Sequence, residues 1–296
     1  MNRRKIRIGD MTFDVINTII LILFMLICIY PFYYVFIFSI SNPDKTARGI
    51  YLLPAGFKLD SYSQIFNLNG IFSAFIVSLA RTLIGTTITL VLSSLFAYAV
   101  SKNELPYRKI IYRICAMAMY LNAGLIPWYI TMKNLGLKNN FLLYILPYAV
   151  NAYYIILLKT FFEQLPASLE ESAMIDGAGY FTVFWKIILP LSKPILATIV
   201  VFASVGQWNT WHDNFFLVAS KNLQTLQLIL YNYLNQAQSI AASANVGNVN
   251  VSALKNLSPE SIRMTITVVV TLPILLVYPF MQKYFVKGIM MGAVKG

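Results

Sequence analysis

Residues 163–190 carry an unusual concentration of carboxylates for a chain that is otherwise very apolar. Glu163 opens the segment, Glu170 and Glu171 are adjacent, and Asp176 follows five residues later. Clustered carboxylates could act as acid and base, or as metal ligands, in an enzyme. They could also form ion pairs with a basic surface of another protein. The residues around them are needed to choose between these two kinds of chemistry.

The same segment has the pattern of two short helices joined by a tight turn. Ser168 lies three residues before Glu171, which predicts a capping box at the start of a helix. Asp176 and Gly177 predict the end of that helix, because glycine readily adopts the left-handed conformation that a sharp turn requires. A second helix is predicted over residues 180–188. Such an element can dock in a cleft of a partner and transmit motion; the alternative is an ordinary amphipathic helix between two membrane spans.

Polar and aromatic side chains inside the apolar stretches are candidates for a transport pathway. Arg81 lies deep in its stretch, where a cation usually faces a cavity or a partner. It could attract an anionic substrate such as a uronate, or it could pair with a carbonyl or carboxylate. Trp and Tyr also form belts at membrane interfaces, which is the alternative for each aromatic candidate. The residues that could stack on a sugar ring or hydrogen-bond to it are Asn122, Asn151, Tyr153, Trp208, Asn209 and Trp211.

The composition indicates a membrane protein. The chain is 58% hydrophobic and 11% charged, which is too apolar for an ordinary soluble domain of this length. A bilayer core needs roughly 20 apolar residues per helix. The sequence therefore predicts an all-α integral membrane protein with six transmembrane helices, at about 15–40, 72–100, 110–131, 141–162, 194–218 and 264–285. Gly124 and Pro127 are expected to break or bend the third of these helices near its outer end.

The basic residues predict the orientation of these helices. The net charge is +12, and most of the 23 Lys and Arg residues fall in four segments: the N-terminus, the loops after the second and fourth helices, and the C-terminal tail. The positive-inside rule predicts that these segments, and hence both termini, are cytoplasmic. Because the charge follows topology, no nucleic acid partner is expected.

The residue types argue against a bound cofactor or metal. Cys28 and Cys115 both fall in predicted spans and are expected to be buried hydrophobic residues. His212 is the single histidine, and no G-x-x-x-x-G-K-[ST] pattern for ATP binding occurs. The chain itself is therefore not expected to hold ATP.

The predicted organisation is one transmembrane domain with short ends. Residues 1–14 form a basic cytoplasmic tail, residues 15–285 the transmembrane domain, and residues 286–296 a cytoplasmic tail. The loop 163–190, called the coupling loop below, is predicted to be cytoplasmic, and the long polar segment 219–261 to be extracytoplasmic. The Ala/Ser/Asn-rich part of the segment 219–261 has little apolar surface to bury, so this part is expected to become ordered only when it docks against a partner.

The coupling loop resembles the EAA loop of bacterial ABC importer permeases. That loop has the pattern E-A-A, then G, then I-x-L-P, at the spacing of Glu171-Ser172-Ala173, Gly177 and Ile187-Ile188-Leu189-Pro190. Ser172 replaces the first alanine with another small residue. Trp208-Asn209 and the endings Leu272-Pro273, Tyr278-Pro279 and 284–288 further resemble the carbohydrate (maltose-type) branch, and most closely its Gram-positive lipoprotein/oligosaccharide-type subfamily.

The resemblance implies a function and a set of partners. It implies a type I ABC importer permease fold in the bacterial cytoplasmic membrane, a second six-helix permease subunit, and two cytoplasmic ATPase subunits that bind ATP and Mg. It also implies an extracytoplasmic substrate-binding lipoprotein and an oligosaccharide substrate, acidic if Arg81 attracts it. Glu171 would meet a basic residue of an ATPase, and Gly177 would supply the bend. The coupling residues implied are Glu170, Glu171, Ser172, Ala173, Asp176, Gly177, Ala178 and Pro190.

A membrane-embedded enzyme acting on a lipid-linked sugar is the alternative from another class. It would need two or more acidic residues with metal or base roles at one membrane face. The only acidic cluster is that of the coupling loop, and the EAA pattern already accounts for Glu171 and Asp176. A non-catalytic transport subunit is therefore the preferred interpretation.

Overall fold

The chain is helical along most of its described length. The structure, a computed structural model, describes residues 8–46, 49, 52–67, 70–121, 123–244 and 259–293. Within these ranges the backbone forms helices and one isolated β-bridge, between Ser41 and Phe57. The predicted all-α class is confirmed. Two compact units are present, Met1–Leu68 with Tyr233–Thr271, and Asn69–Asn232 with Leu272–Gly296.

The first unit begins with a long apolar helix, α1 (Ile8–Ser39), followed by α2 (Pro43–Thr46) and α3 (Asp60–Asn67). Every side chain from residue 13 to residue 33 is exposed, although nearly all are apolar. A helix that is hydrophobic all round belongs in a membrane or a large core. Only its C-terminal end is buried, where Ile37 and Phe38 pack against Ala55 and Met264.

The second unit contains the candidate sites and is built from shorter elements. Its helices are α4 (Ile71–Ser101), α5 (Arg108–Tyr120), α6 (Leu125–Asn134), α7 (Ala152–Phe162), α8 (Ala167–Ile175), α9 (Tyr180–Val183), α10 (Leu189–Leu191), α11 (Lys193–Asn209) and α12 (His212–Leu217). Two later helices, α13 (Leu226–Ala244) and α14 (Pro259–Ala293), have residues in both units. 3-10 turns cover Phe141–Tyr144, Leu146–Tyr148 and Lys221–Leu223, and a π-helical segment covers Phe184–Ile188.

Helix α4 is the centre of the second unit, because it packs against both α7 and α11. Its buried face has several small residues, at intervals of one or two helical turns, and small residues let helices approach closely in membrane proteins. A Cβ atom added to Gly85 would lie 2.7 Å from Nε2 of Gln207 on α11. The small members of this buried face include Ala74, Ser78, Gly85, Ser93 and Ala97.

Three helices are continuous and apolar enough to cross a membrane: Phe13–Ser39, Ile71–Ser101 and Glu260–Val277. Three bent pairs pass the same test together, so the described residues contain up to six spans if each pair is one span. The pairs are α5 with α6, the turns 141–148 with α7, and residues 180–191 with α11; the last two are bent by 46° and 83°.

Many threonine hydroxyls in these helices bond to their own backbone. Thr82, Thr87 and Thr267 each donate to the carbonyl four residues earlier, at 2.7–2.8 Å. Thr271 does the same at 2.7 Å. These hydroxyls therefore need no partner on a neighbouring helix.

Two predicted spans are wrong as continuous helices. Within 141–162, residues 141–148 form 3-10 turns and the α-helix begins only at Ala152, because Pro147 lacks a backbone donor and Asn151 caps the new helix. Within 194–218, α11 ends at Asn209 and α12 starts at His212. By contrast, the break predicted near Gly124 is confirmed, since α6 begins after that residue.

The segment 219–261 is more regular than predicted. Helix α13 covers Leu226–Ala244, so part of the stretch expected to lack structure until docking is helical. Apolar residues at its N-terminal end account for this, because Leu226 and Leu228 are buried. Residues 245–258 lie outside the described part of the chain, and so do residues 1–7 and 294–296. Residues 286–293 of the predicted tail continue α14.

Candidate coupling loop and pathway residues

The coupling loop is a helix–turn–helix, as predicted, but the first helix is not capped as predicted. Helix α8 begins at Ala167 after Pro166, and no side chain caps its N-terminus. Ser168 is therefore already the second helical residue, two positions past the N-cap that a capping box with Glu171 requires. Because Pro166 is fixed in an extended conformation, it starts the helix two residues earlier than the Ser-based pattern indicated.

The turn after α8 is a Schellman motif. The amide of Gly177 donates to the carbonyl of Met174 at 3.0 Å, and the amide of Ala178 donates to that of Ala173 at 2.9 Å. Gly177 has φ +85°, which confirms the predicted left-handed conformation. Asp176 is the C-terminal capping residue. The bend is thus set by local hydrogen bonds and by a glycine that a side chain would strain.

Helix α8 has an inner and an outer face. Ala173 and Met174 pack against a buried apolar cluster, as does Ala178 after the turn. The outer face carries exposed side chains at helical spacing, Glu171, Ser172 and Ile175. Ile175 is 86% exposed, which is unusual for a large apolar side chain at the tip of a loop. No described residue forms an ion pair with Glu171.

Glu170 is directed inward and differs from its neighbour. Its carboxylate forms an ion pair with Lys102, the residue that follows α4, and lies 3.5 Å from the hydroxyl of Tyr98. The Lys102 ammonium also lies 4.4 Å from the centre of the Tyr98 ring. Glu170 was predicted with the residues that contact an ATPase, but its carboxylate is engaged by its own chain.

The return from the loop to α11 is strongly bent. Helix α9 continues into the π-helical segment and then into α10, where Pro190 is exposed. Pro190 has no amide hydrogen to donate, and a π-helical turn before it accommodates the lost bond. The chain then turns by 83° at Ser192, whose side chain is completely buried. The predicted second helix over 180–188 is confirmed.

Arg81 is the centre of a buried network between α4 and α12. Its guanidinium binds both carboxylate oxygens of Asp213, at 3.1 and 2.6 Å, and both side chains are at most 1% exposed. It also donates to Oε1 of Gln207 and to the carbonyl of Thr210, each at 3.0 Å. The Tyr144 ring lies 4.7 Å from it. Of the two predicted roles for Arg81, the structure supports pairing with a carboxylate.

The same network holds the chain after α11 in place. The Thr210 carbonyl is bound to Arg81, and Thr210 itself has an extended backbone that ends α11. Asn214 donates to the Leu223 carbonyl at 3.1 Å and also bonds to the Tyr144 hydroxyl. Tyr144 in turn donates to the same carbonyl at 2.6 Å. Residues 210–226 are therefore fixed to the centre of the second unit.

The other predicted pathway residues do not form one group. Asn151 accepts hydrogen bonds from the amides of Tyr153 and Tyr154, at 3.0 and 3.2 Å, and so acts as a helix cap. Tyr153 is 47% exposed, whereas Trp208 is 6% exposed and meets Phe75 edge-on. Asn122 lies outside the described residues.

An aromatic cluster forms after α11. The Trp211 ring stacks on Tyr231 with centroids 3.9 Å apart, and Phe215 contacts both rings edge-on. Asn209 accepts a hydrogen bond from Gln227 at 3.0 Å. Trp211 and Asn209 thus belong together, at the junction between α11 and α13.

Sequence reasoning missed Asp213, Gln207 and Tyr144. All three bond or stack with Arg81, but they are distant in sequence from it, and Asp213 fell within the predicted span 194–218 with no role assigned to it. The one available signal was Arg81 itself, since a buried cation needs a partner. His212 was named only as the single histidine; its Nε2 lies 3.3 Å from the Tyr148 hydroxyl.

A cavity of about 340 Å³ lies between α4, α11 and α14. Apolar side chains line most of it, together with Thr82, Thr86, Thr87, Ser204 and Trp208. Because the Thr82 and Thr87 hydroxyls donate to their own helix, this wall is mainly methyl groups. It therefore lacks the converging polar groups expected of a sugar site.

Continuous and broken apolar helices together with an exposed helix–turn–helix are features of a membrane transport subunit. Residues 70–291 match the family described as the binding-protein-dependent transport system inner membrane component. The chain belongs to that family. It is a permease subunit of an ABC importer and a multi-pass protein of the bacterial cytoplasmic membrane.

Several known proteins are similar over nearly the whole chain. The polygalacturonan/rhamnogalacturonan transport system permease protein YtcP of Bacillus subtilis (strain 168) is 38% identical over 96% of this chain and 98% of its own length. Protein LplC of the same organism is 35% identical over 96% and 95%. A crystal structure of a bacterial ABC transporter that imports the acidic polysaccharide alginate matches with a TM-score of 0.85 and 31% identity, covering 96% of this chain and 100% of that chain.

These relatives favour the predicted permease over the membrane-enzyme alternative. The predicted maltose-type, carbohydrate-importing branch is confirmed at the level of carbohydrate importer permeases. Another relative, from Streptomyces coelicolor, is a diacetylchitobiose uptake system permease protein, 26% identical over 96% of this chain.

Proposed function

We propose that the chain imports an acidic oligosaccharide of the uronate class. The observation that supports this most strongly is its similarity to two permeases whose names specify acidic polysaccharides, polygalacturonan/rhamnogalacturonan and alginate. Arg81 does not support it, because that cation is already bound to Asp213. Selectivity for acidic sugars would therefore come from the binding protein, the second permease subunit, or other residues of this chain.

The proposed topology has six spans with both termini in the cytoplasm. Each of the three bent pairs would be one span, added to the three continuous helices. Non-helical backbone is tolerated at membrane depth where it is buried in protein or lines a water-filled cavity. The bends would accordingly face other parts of the importer rather than lipid. Residues 15–285 would form one transmembrane domain between the basic tail 1–14 and the tail 286–296.

The proposed assembly contains a second permease subunit, two ATPase subunits and a substrate-binding lipoprotein. The ATPase subunits would hold ATP and Mg, and this chain would bind no cofactor. The family's dependence on a binding protein supports one of these partners directly. The exposed outer face of α8 supports an ATPase contact, because it combines a carboxylate without a partner among the described residues with the exposed Ile175.

Uptake by the reconstituted importer tests the proposed substrate. The chain, its second permease, the ATPases and the binding protein are reconstituted in vesicles and offered an oligogalacturonide or a neutral maltooligosaccharide of equal length. Stimulated ATP hydrolysis and uptake are expected with the oligogalacturonide only. Equal uptake of the neutral sugar would refute selectivity for uronates, and stimulation by neither would refute the proposed substrate class.

Charge reversal at Glu171 tests the proposed coupling contact. Glu171→Lys should lower uptake and substrate-stimulated ATP hydrolysis while the protein still inserts into the membrane, because it would meet a basic residue with like charge. Asp60→Lys is the matched control, since Asp60 is also an exposed carboxylate but belongs to α3 of the first unit and not to the coupling loop. If an assembled Glu171→Lys complex transported at the parental rate, this coupling contact would be wrong.

A further inference from the structure

We infer that Lys102 and Tyr98 of the α4 end are positioning residues for the coupling helix α8, so that α8 and α4 move together. This inference rests on the proposed function, in which α8 contacts an ATPase. The chain connects α8 to α7 before it and to α11 after it, through turns. The side chains of Tyr98 and Lys102 add a direct connection to α4, which is not its neighbour in sequence.

The ion pair between Lys102 and Glu170 is well protected from water. The two side chains are 19% and 15% exposed, unlike the exposed pairs of a typical protein surface. Exposed pairs contribute little because water and salt screen them, whereas removal from water strengthens the attraction and fixes the geometry. The Tyr98 ring beside the ammonium adds a cation–π contact. The position of Glu170 on α8 is therefore tied to the last turn of α4.

Tyr98 contacts the coupling loop at two places and also the end of the helix that precedes it. Its ring is 5% exposed and meets Phe162, at the end of α7, with centroids 6.4 Å apart. It meets Phe184, on the return path, at 5.2 Å, and its hydroxyl lies 3.5 Å from the carboxylate of Glu170. A single side chain of α4 thus contacts the end of α7, helix α8 and the return path to α11.

Helix α4 can carry a displacement from Lys102 to the network around Arg81. Lys102 and Arg81 are separated by about 30 Å along a continuous helix, at about 1.5 Å per residue. Arg81 is bound to Asp213 and to the Thr210 carbonyl, and so to the junction that carries Trp211. The attachments at the two ends, Lys102 to Glu170 and Arg81 to Asp213, are ion pairs that are largely or completely buried. Such pairs have few alternative geometries, because moving apart would leave a buried charge without a partner. The coupling helix is thereby joined to residues 210–226 through one rigid element.

Neutralising either partner of the ion pair tests the inference. Lys102→Gln and Glu170→Gln are compared with the parent in the reconstituted importer, and both uptake and ATP hydrolysis are normalised to assembled complex. The ratio of substrate imported to ATP hydrolysed should fall about fivefold or more, the lower end of typical coupling between sites. A purely structural defect would reduce the amount of complex but leave this ratio unchanged.

Lys159→Gln is the matched control, because Lys159 also forms an ion pair and contacts a tyrosine ring, but its pair with Glu163 lies within one helical turn. Its ratio should remain parental. Lys102→Arg keeps the charge and should also keep the ratio, even if the glutamine variant assembles poorly. A parental ratio in Lys102→Gln, or an equal loss in Lys102→Arg, would overturn the inference.

The exchanged pair separates the ion pair from other effects. Lys102→Glu combined with Glu170→Lys should recover more than half of the ratio lost in the single variants; no recovery would overturn the inference.

The Glu171→Lys experiment distinguishes failure of this inference from failure of the proposed coupling contact. If Glu171→Lys uncouples transport while Lys102→Gln does not, the coupling contact stands and only the connection to α4 is wrong. If Glu171→Lys has no effect, the proposed contact itself fails.

Discussion

Replacement of Arg81 by methionine removes the cation from a pair that is completely buried. Methionine has a similar length and no charge, so the change leaves Asp213 without its main partner while the space remains largely filled. The carboxylate loses two hydrogen bonds from the guanidinium. It keeps the hydrogen bond that the amide of Asn214 donates to its Oδ1 at 2.7 Å. Gln207 and the Thr210 carbonyl also lose a donor.

The expected magnitude follows from these contacts. Breaking a buried ion pair by removing one partner costs roughly 3–5 kcal/mol, because the remaining charge stays out of water. The bond that Asn214 still donates puts Arg81→Met near the lower end, at about 3 kcal/mol. That loss corresponds to a roughly hundredfold change in the folding equilibrium. Residues 210–226 should loosen first, since they are fixed by the network around Arg81.

The free energy of unfolding in mixed detergent micelles measures this loss, and the fluorescence of Trp211 reports the loosening near α12. The combination Arg81→Met with Asp213→Leu is the informative control. It removes both charges, and should be more stable than Arg81→Met alone although it lacks more hydrogen bonds. If Arg81→Met unfolded within about 1 kcal/mol of the parent, or if the double variant were the less stable, the buried pair would not have the importance assigned to it.

Three further perturbations have defined outcomes. Gly85→Ala should lower the free energy of unfolding by about 1–3 kcal/mol, because the added Cβ would overlap the facing side chain of Gln207. Gly206→Ala should be neutral, because no atom lies within 4 Å of the added Cβ. Gly177→Val should cost roughly 1 kcal/mol or more in backbone strain and reduce uptake per ATP, while Gly179→Ala should be mild; equal tolerance would contradict the turn. Deletion of 238–250 should weaken binding-protein stimulation of ATP hydrolysis but leave basal hydrolysis nearly intact, and a parental response would make this segment a spacer.

In this protein the sequence predicts local backbone structure far better than it predicts which side chains of different helices contact each other. The helix–turn–helix and the left-handed Gly177 were predictable because they depend on residues a few positions apart. Apolar composition likewise predicted a helical membrane protein. The inward direction of Glu170 was not predictable, because it depends on Lys102, which comes from another helix. The adjacent Glu171 has the same chemistry in sequence and the opposite exposure.

Breaks within apolar stretches were only partly predictable. Gly124 signalled one break correctly, and Pro147 with Asn151 marked another that hydropathy averages conceal. The end of α11 has no strong breaker of its own. At that end the Thr210 carbonyl accepts a hydrogen bond from Arg81, which joins residues that are 129 positions apart. A long-range contact of this kind leaves no periodic signal in the sequence.

The internally bonded threonines change what hydropathy means for this chain. A hydroxyl that donates to its own helix, as in Thr82 and Thr87, has no unsatisfied hydrogen to offer to lipid or to another helix. The side chain then presents its methyl group, and the residue behaves outwardly like valine. Hydropathy scales treat the hydroxyl as if it still needed hydrogen bonds to water, so they overestimate the free-energy cost of placing such a helix in hydrocarbon. Threonine and valine should consequently be interchangeable at these two positions over evolutionary time.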